Sequence, residues 1–246
     1  DGVEYLGGAS IEKVKRRGNT TTVAYRLGGE RNSVEVDALL VAAGRAPNVE
    51  GMGLEEAGVD FLPTGVVVDE RLATTNRRVF ACGDVSSKYK FTHAADAEAR
   101  IVIQNALFPL KSSAEGLVVP WCTYTSPELA HVGLYRHEAE ARSIAMETVT
   151  VQMSEVDRAV LDGDDEGFLR LHVSPRGGRI LGATWVAEHA GENIGELTLA
   201  LKAGLGLGKL ASTIHPYPTR SEAVGKAAHA WRRGKLSGRT RKFLSA

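Results

Sequence analysis

A chain of 246 residues has room for one large domain or two ordinary ones, and its 43% hydrophobic content is that of a globular protein. Thirty Lys and Arg balance thirty Asp and Glu, so no global field draws nucleic acid or an anionic membrane surface. No apolar run approaches the ~20 residues of a bilayer span and no basic-then-apolar signal segment opens the chain, so it reads as cytoplasmic. The two cysteines, Cys82 and Cys122, agree with a reducing compartment. They lie in separate apolar runs without metal or redox spacing and read as buried, inert thiols.

Residues 1–45 read as antiparallel β. Thr20 to Leu27 is rich in β-branched residues, Gly28-Gly29 is a turn, and Ser33 to Val36 alternates again. Asp37 to Ala43 then reads as a strand buried on both faces and stopped by Gly44. Leu54 to Gly58 suggests a short helix with a glycine stop, and Val66 to Asp69 a strand.

The stretch with most chemical content is Thr74 to Asp84. Val79 to Cys82 is long enough for one buried strand, and Gly83 ends it. Glycine at a strand's carboxyl end lets a ligand approach the backbone, and Asp84 beyond it can accept hydrogen bonds from sugar-type hydroxyls. A Gly-Asp turn after a core strand is the plainer reading. Ligands of open α/β sheets sit outside the carboxyl ends of strands, and a helix that follows offers its N-terminus to an anion. Such a helix is expected from Thr92, as cap, to about Leu107, with Ala94, Ala97, Ile101, Val102 and Asn105 near helical spacing.

From Val118 onward, strand-like stretches at Val119 to Thr125, Glu147 to Met153, Gly167 to Val173 and Arg179 to Ala187 alternate with amphipathic segments at Arg136 to Arg142 and Asn193 to Ala203. Ser174 to Gly178 is a hairpin signal. The pattern is that of an α+β domain built on an antiparallel sheet. Gly204 to Lys209 lacks the glycine and hydroxyl residue of a phosphate loop and reads as a helix end with a tight turn. Near the end, Pro216 and Pro218 hold His215 and Tyr217 extended, which puts these two side chains on one side about 6–7 Å apart. Thr219 and Glu222 fit a capping box for the helix that follows. Lys226, Arg232, Arg233, Lys235, Arg239, Arg241 and Lys242 form a basic run read as a solvated helix face and tail.

Four stretches, in order, resemble the FAD-dependent pyridine nucleotide-disulfide oxidoreductases, a family that includes glutathione reductase, dihydrolipoamide dehydrogenase and mercuric reductase. They are Leu40 to Asn48, Phe80 to Asp84, Trp121 to Gly133 and His215 to Glu222. The resemblance implies the end of a nicotinamide nucleotide domain over 1–45, part of an incomplete α/β FAD-binding portion over 46–117 and a dimerisation domain over 118–246. It implies a homodimer with FAD and NAD(P)H as cofactors and a small-molecule or metal-ion substrate; no metal ligands are read in the chain. Gly83, Asp84, Thr92, His93 and Gly44 are its cofactor-side candidates. Asp84 would meet the ribitol, and backbone groups near Thr92 and His93 the flavin ring. A plain surface role for the His93 side chain is equally compatible.

Tyr217, Glu222 and His215 are the catalytic candidates. In dithiol-handling relatives the position of Tyr217 is a histidine that shuttles a proton to a thiol of the partner subunit. Tyrosine keeps its proton to about pH 10 and is a poor general base at neutral pH. A tyrosine here resembles mercuric reductases, although the paired C-terminal cysteines of those enzymes are absent from Arg241 to Ala246. Neither dinucleotide fingerprint, Gly-x-Gly-x-x-Gly, occurs, and the chain opens at Asp1 without Met. It is therefore read as a fragment: an oxidoreductase portion inactive by itself and holding neither cofactor, with dihydrolipoamide dehydrogenase-like activity or a dimerisation module without catalysis as alternatives.

Overall fold

The β-branched run at Thr20 becomes the central strand of a three-stranded antiparallel meander. In the computed structural model, which describes residues 2–236, β1 (Ser10–Arg17), β2 (Thr20–Leu27) and β3 (Glu30–Val36) pair in the order β1-β2-β3. Thr21 and Val23 are buried on β2, whereas β1 is exposed along its whole length. Gly28 and Gly29, with φ of 60° and 90°, make the β2–β3 turn that the sequence marks. These strands lie in the first of two compact units, Asp1–Ala46 and Pro47–Ala246. The strand expected from Asp37 to Ala43 does not form. A strand buried on both faces needs paired neighbours and cover, and here Leu40 and Val41 are open to solvent.

In the second unit, a small cluster of Val49, Val59 and Val66, flanked by Phe61, Val79 and Ala81, organises residues 49–85. Its regular structure is slight. The expected strand at Val66 to Asp69 shrinks to β5 (Gly65–Val66), paired with β4 (Phe61–Leu62). The strand expected at Val79 to Cys82 is one bridge, Ala73 to Phe80. Leu54 to Gly58 is a turn, ended by Gly58 at φ 66°, and not a helix. Apolar content sets burial in these segments, but each lacks the long neighbouring strand that would extend its ladder. The helix α1 (Thr92–Leu107) spans the expected residues. Its cap position is Phe91, so Thr92 is the first helical residue, and no side chain caps it.

The larger core belongs to a five-stranded antiparallel sheet of order β6-β7-β10-β9-β8. Its strands are β6 (Trp121–Thr123), β7 (Glu128–Gly133), β8 (Glu147–Gln152), β9 (Phe168–Val173) and β10 (Ile180–Ala187). Helices α2 (Arg136–Ala141), α3 (Asp157–Asp162), α4 (Ala190–Lys202), α5 (Leu207–Leu210) and α6 (Glu222–Gly234) complete it. Leu169, Leu171, Ala183, Trp185 and Ala187 are fully buried with Leu197 of α4 and Val224 of α6 in one cluster. Period-two alternation sends His131, Thr184 and Arg170, which are register neighbours across β7, β10 and β9, to the other face. The α+β class read from the sequence is the class observed, and β7 is the strand the sequence pattern missed. The segment after Lys202 is a helix end, with Leu205 N–H bonded to the Ala200 carbonyl around Gly204 at φ 65°. Among the described residues no helix is long and apolar enough to cross a membrane. Arg239, Arg241 and Lys242 lie outside the described residues.

Candidate functional site

Gly83 opens a single 3₁₀ turn, Gly83–Val85, with φ of 75°, a conformation glycine adopts without strain. A methyl group there would meet the Ala95 Cβ at 3.0 Å, so the turn is pressed against α1. What fixes it is Glu98, buried on α1, whose Oε2 accepts the Gly83 N–H at 2.7 Å. The Asp84 carbonyl accepts from the Lys90 ammonium at 2.7 Å. Thr92 and His93 stand exposed at the uncapped start of α1, where the first-turn N–H groups have no carbonyl of their own helix to meet. The His93 side chain is not a bystander on the surface: its Nε2–H donates to the Pro120 carbonyl at 2.7 Å and its ring stacks on Phe91.

The Gly83 turn packs against the first turns of α1, so the unpaired N–H groups that open the helix stand near the Gly83–Asp84 backbone. Gly44, at φ 100°, is exposed and belongs to the first unit. Glu98 was missed in the sequence, although an acid on the same face as Ala94 and Asn105 was the available signal.

The second group of candidates lies around Tyr217. The chain bends at Tyr217 and Pro218, with a cis peptide between them, instead of running extended. His215 and Tyr217 accordingly serve different partners. His215, 10% exposed in its side chain, meets Glu196 Oε1 of α4 at 3.0 Å, whereas the Tyr217 hydroxyl donates to Asp157 Oδ2 of α3 at 2.8 Å. Glu222 is not the reciprocal partner of a capping box. The cap position of α6 is Ser221, with Glu222 first in the helix, and Thr219 Oγ1 donates to the Pro216 carbonyl. One Glu222 oxygen pairs with Lys226 at 3.2 Å, and the other is buried without a hydrogen bond. Lys226 also approaches Asp157 at 3.8 Å, so Tyr217 connects to Glu222 through Asp157 and Lys226.

The hydrogen bond to Asp157 pushes the Tyr217 hydroxyl above its ordinary pKa, aided by the charges of Asp157 and Glu222. Beside this group Arg220, nearly buried, bonds Asp162 at 2.9 Å and Asp164 at 3.1 Å and fixes the start of α6. No hydrogen bond or ion pair among those described joins the Tyr217 group to the Gly83 group.

Both thiols are half-buried and not fully buried as expected. Burial raises Cys82 and Cys122 above the usual thiol range, and Glu98 and Glu128 add to the effect. Among the described residues no group of three or more His, Cys, Asp or Glu side chains could hold a metal ion.

The chain matches the family model for the pyridine nucleotide-disulphide oxidoreductases over residues 1–99 and that family's dimerisation-domain model over 119–228. It is 34% identical to a mercuric reductase of Staphylococcus aureus over 228 residues, which are 92% of this chain and 42% of that protein. A dihydrolipoyl dehydrogenase of Geobacillus stearothermophilus is 31% identical over 228 residues, 92% of this chain and 48% of the relative. Among solved structures, the Cu(II) complex of the HOCl-induced flavoprotein disulfide reductase RclA from Escherichia coli superposes with a TM-score of 0.81 at 29% identity. That match covers 90% of this chain and 50% of RclA. The chain thus spans about half the length of the relatives it matches.

Proposed function

The chain belongs to the pyridine nucleotide-disulphide oxidoreductases, and we propose that it serves as the carboxyl-terminal part of a flavin-dependent oxidoreductase that draws electrons from NAD(P)H. The acceptor in this reading is a thiolate-bound metal ion, as the mercuric reductase relatives suggest. Gly83, Asp84, Thr92 and His93 would hold the FAD, which when bound relays an electron pair between nicotinamide and a redox disulfide. The chain's own residues contribute position and proton control. Glu98 keeps the Gly83 turn against α1, and the Pro120 carbonyl keeps His93 in place at the helix start.

The observation that carries the choice of acceptor is Tyr217 donating to Asp157. A phenol whose proton is bound to a carboxylate, with its pKa raised, does not accept a proton from a dithiol at neutral pH. It can still orient a ligand through the oxygen's lone pairs. Reduction of a thiolate-held metal ion needs no such proton. In this reading Tyr217 of one subunit would act at its partner's site.

The test is a steady-state comparison of the full-length enzyme with its Tyr217→His variant on lipoamide, glutathione disulfide and Hg(II). Activity on Hg(II) that stays flat or falls in the variant, with no gain on either disulfide, is expected. A gain on a disulfide of about ten-fold or more, within the ~10²–10⁴-fold that general acid-base help supplies, would assign a dithiol substrate instead.

A further inference from the structure

Away from both candidate groups, the second unit carries a cleft of about 670 Å³ between the 88–89 loop, the start of β6, α2 and the carboxyl end of α4. Its wall is aromatic. The His131 ring lies parallel to Tyr135, with centroids 3.7 Å apart and planes within 4°, and Trp121 tilts against His131 at 5.9 Å. Both His131 nitrogens are spent inside the sheet, since Nε2–H donates to the Gly133 carbonyl at 3.0 Å and Nδ1 bonds Thr184 Oγ1 at 2.9 Å. The imidazole therefore acts as a pinned flat support and leaves no polar atom to compete for a ligand.

The rim is basic. Lys88, Arg142, Arg179 and Lys202 reach the cleft from four separate places in the chain. Among the described residues, no carboxylate pairs with the side chains of Arg142, Arg179 or Lys202, and Lys88 rests over the Tyr89 ring at 4.8 Å. The one acid in the lining, Glu138, is committed to the Tyr135 N–H at 2.9 Å. Four cations against one engaged carboxylate leave the mouth positive in a polypeptide whose overall charge is zero.

The Tyr135 ring is engaged by His131 and, at 5.5 Å, by His137; we propose that this cleft binds a small, flat aromatic anion, its ring against Trp121 and the apolar side chains of residues 117–119 and its carboxylate or phosphate among Arg142, Arg179 and Lys202. The volume falls within the usual range for small-molecule sites, ~300–1,000 Å³, and the lining sets an aromatic side chain and a few aliphatic ones beside convergent charges. Guanidinium forks pair with either oxyanion in two-point contact. The proposal needs neither the flavin nor the acceptor reading, because every residue it uses lies outside the Gly83 and Tyr217 groups.

Titration calorimetry of the 246-residue chain with 1-naphthoate, 1-naphthyl phosphate and the neutral 1-naphthalenemethanol at low salt tests it. Saturable binding of one or both anions is expected with a Kd of about 1 mM or tighter, given some 13 to 15 non-hydrogen atoms in the probe. The neutral probe should bind at least about ten-fold more weakly, and added salt should weaken only the anions. Arg142→Ala and Arg179→Ala, both at exposed side chains whose loss leaves the core intact, should each weaken the anions about three-fold or more, and Trp121→Leu should weaken all three probes. Absence of saturable anion binding, equal affinity for the neutral probe, or indifference to both arginine substitutions would overturn the proposal.

Discussion

The Tyr217 hydroxyl donates to Asp157 Oδ2 at 2.8 Å across 60 residues of chain, tying the bend before α6 to the first turn of α3. Asp157 rather than Glu222 sets the state of this phenol, since its carboxylate accepts the phenol's hydrogen bond while Glu222 acts on it only through its charge. Asp157→Asn keeps a polar partner and removes the charge, so the Tyr217 titration should move down toward the ordinary value near 10. Glu222→Gln should move it less. NMR of ring-labelled tyrosine across pH 8 to 12, with Tyr217→Phe to assign the signal, reads both, and an equal or larger shift for Glu222→Gln would shift the control of Tyr217 to Glu222.

At the other candidate group, Glu98→Ala leaves the Gly83 N–H buried without its acceptor. That should cost about 1–3 kcal/mol of stability. Gly83→Ala should cost about 1–2 kcal/mol, because the residue sits at φ 75° and the new methyl would press on Ala95. The two positions share one contact, so the double variant should lose less than the sum. Urea denaturation of the three variants checks both the sizes and the coupling.

How much of this was legible beforehand differs by region, for a physical reason. The sheet from β8 to β10 and the helices α1 and α4 were readable because long periodic runs meet partners inside the same chain. Leu39 to Val41 and Val79 to Cys82 carry the same apolar signal but have no long neighbouring strand here, so one lies exposed and the other keeps a single bridge. Strand β7 escaped because Ala130, His131 and Gly133 weaken the alternation that its position in the sheet enforces. At the site, Tyr217, His215 and Glu222 were named from the motif, but their partners Asp157, Glu196 and Lys226 were not. Those contacts join residues up to 60 positions apart, and an acid on a helix surface carries no local mark of the partner it will meet.

Acid should weaken the larger core before it reaches the carboxylates. Burial holds His131 and His172 below the ordinary histidine pKa; Arg170, Arg136 and His131 push His172 further down, while Glu138 and the Gly133 carbonyl oppose the shift at His131. Between those lowered values and about 6.5 the unfolded chain binds more protons than the folded one, so stability is complete above that pH and falls as pH drops below it. Thermal melting from pH 7.5 to 5 should show the decline, and His172→Gln should flatten it even if it lowers the melting point overall. An undiminished decline in both His172→Gln and His131→Gln would place its origin elsewhere.

The dimerisation-domain match makes a prediction about the face that carries Tyr217. Ile214 is 94% exposed and Tyr217 70% exposed. The bonds from His215 to Glu196 and from Tyr217 to Asp157 bring this segment beside α4 and α3, where Leu199, Val160 and Leu161 are exposed too. Apolar side chains gathered around one segment and left in water are what a two-fold interface would cover. In a symmetric dimer each residue is buried twice, so a single substitution acts twice. Ile214→Ala removes three carbons from each side, which at about 0.8 kcal/mol per buried methylene amounts to roughly 4–5 kcal/mol, a loss of about a thousand-fold or more in dimer affinity. Because Ile214 contributes nothing to the core of the subunit, the melting point of the dissociated form should stay where it was. Sedimentation velocity at micromolar concentration should find the parent chain dimeric and Ile214→Ala largely monomeric; a monomeric parent, or a variant that remains a dimer, would show that this face is not the one that pairs.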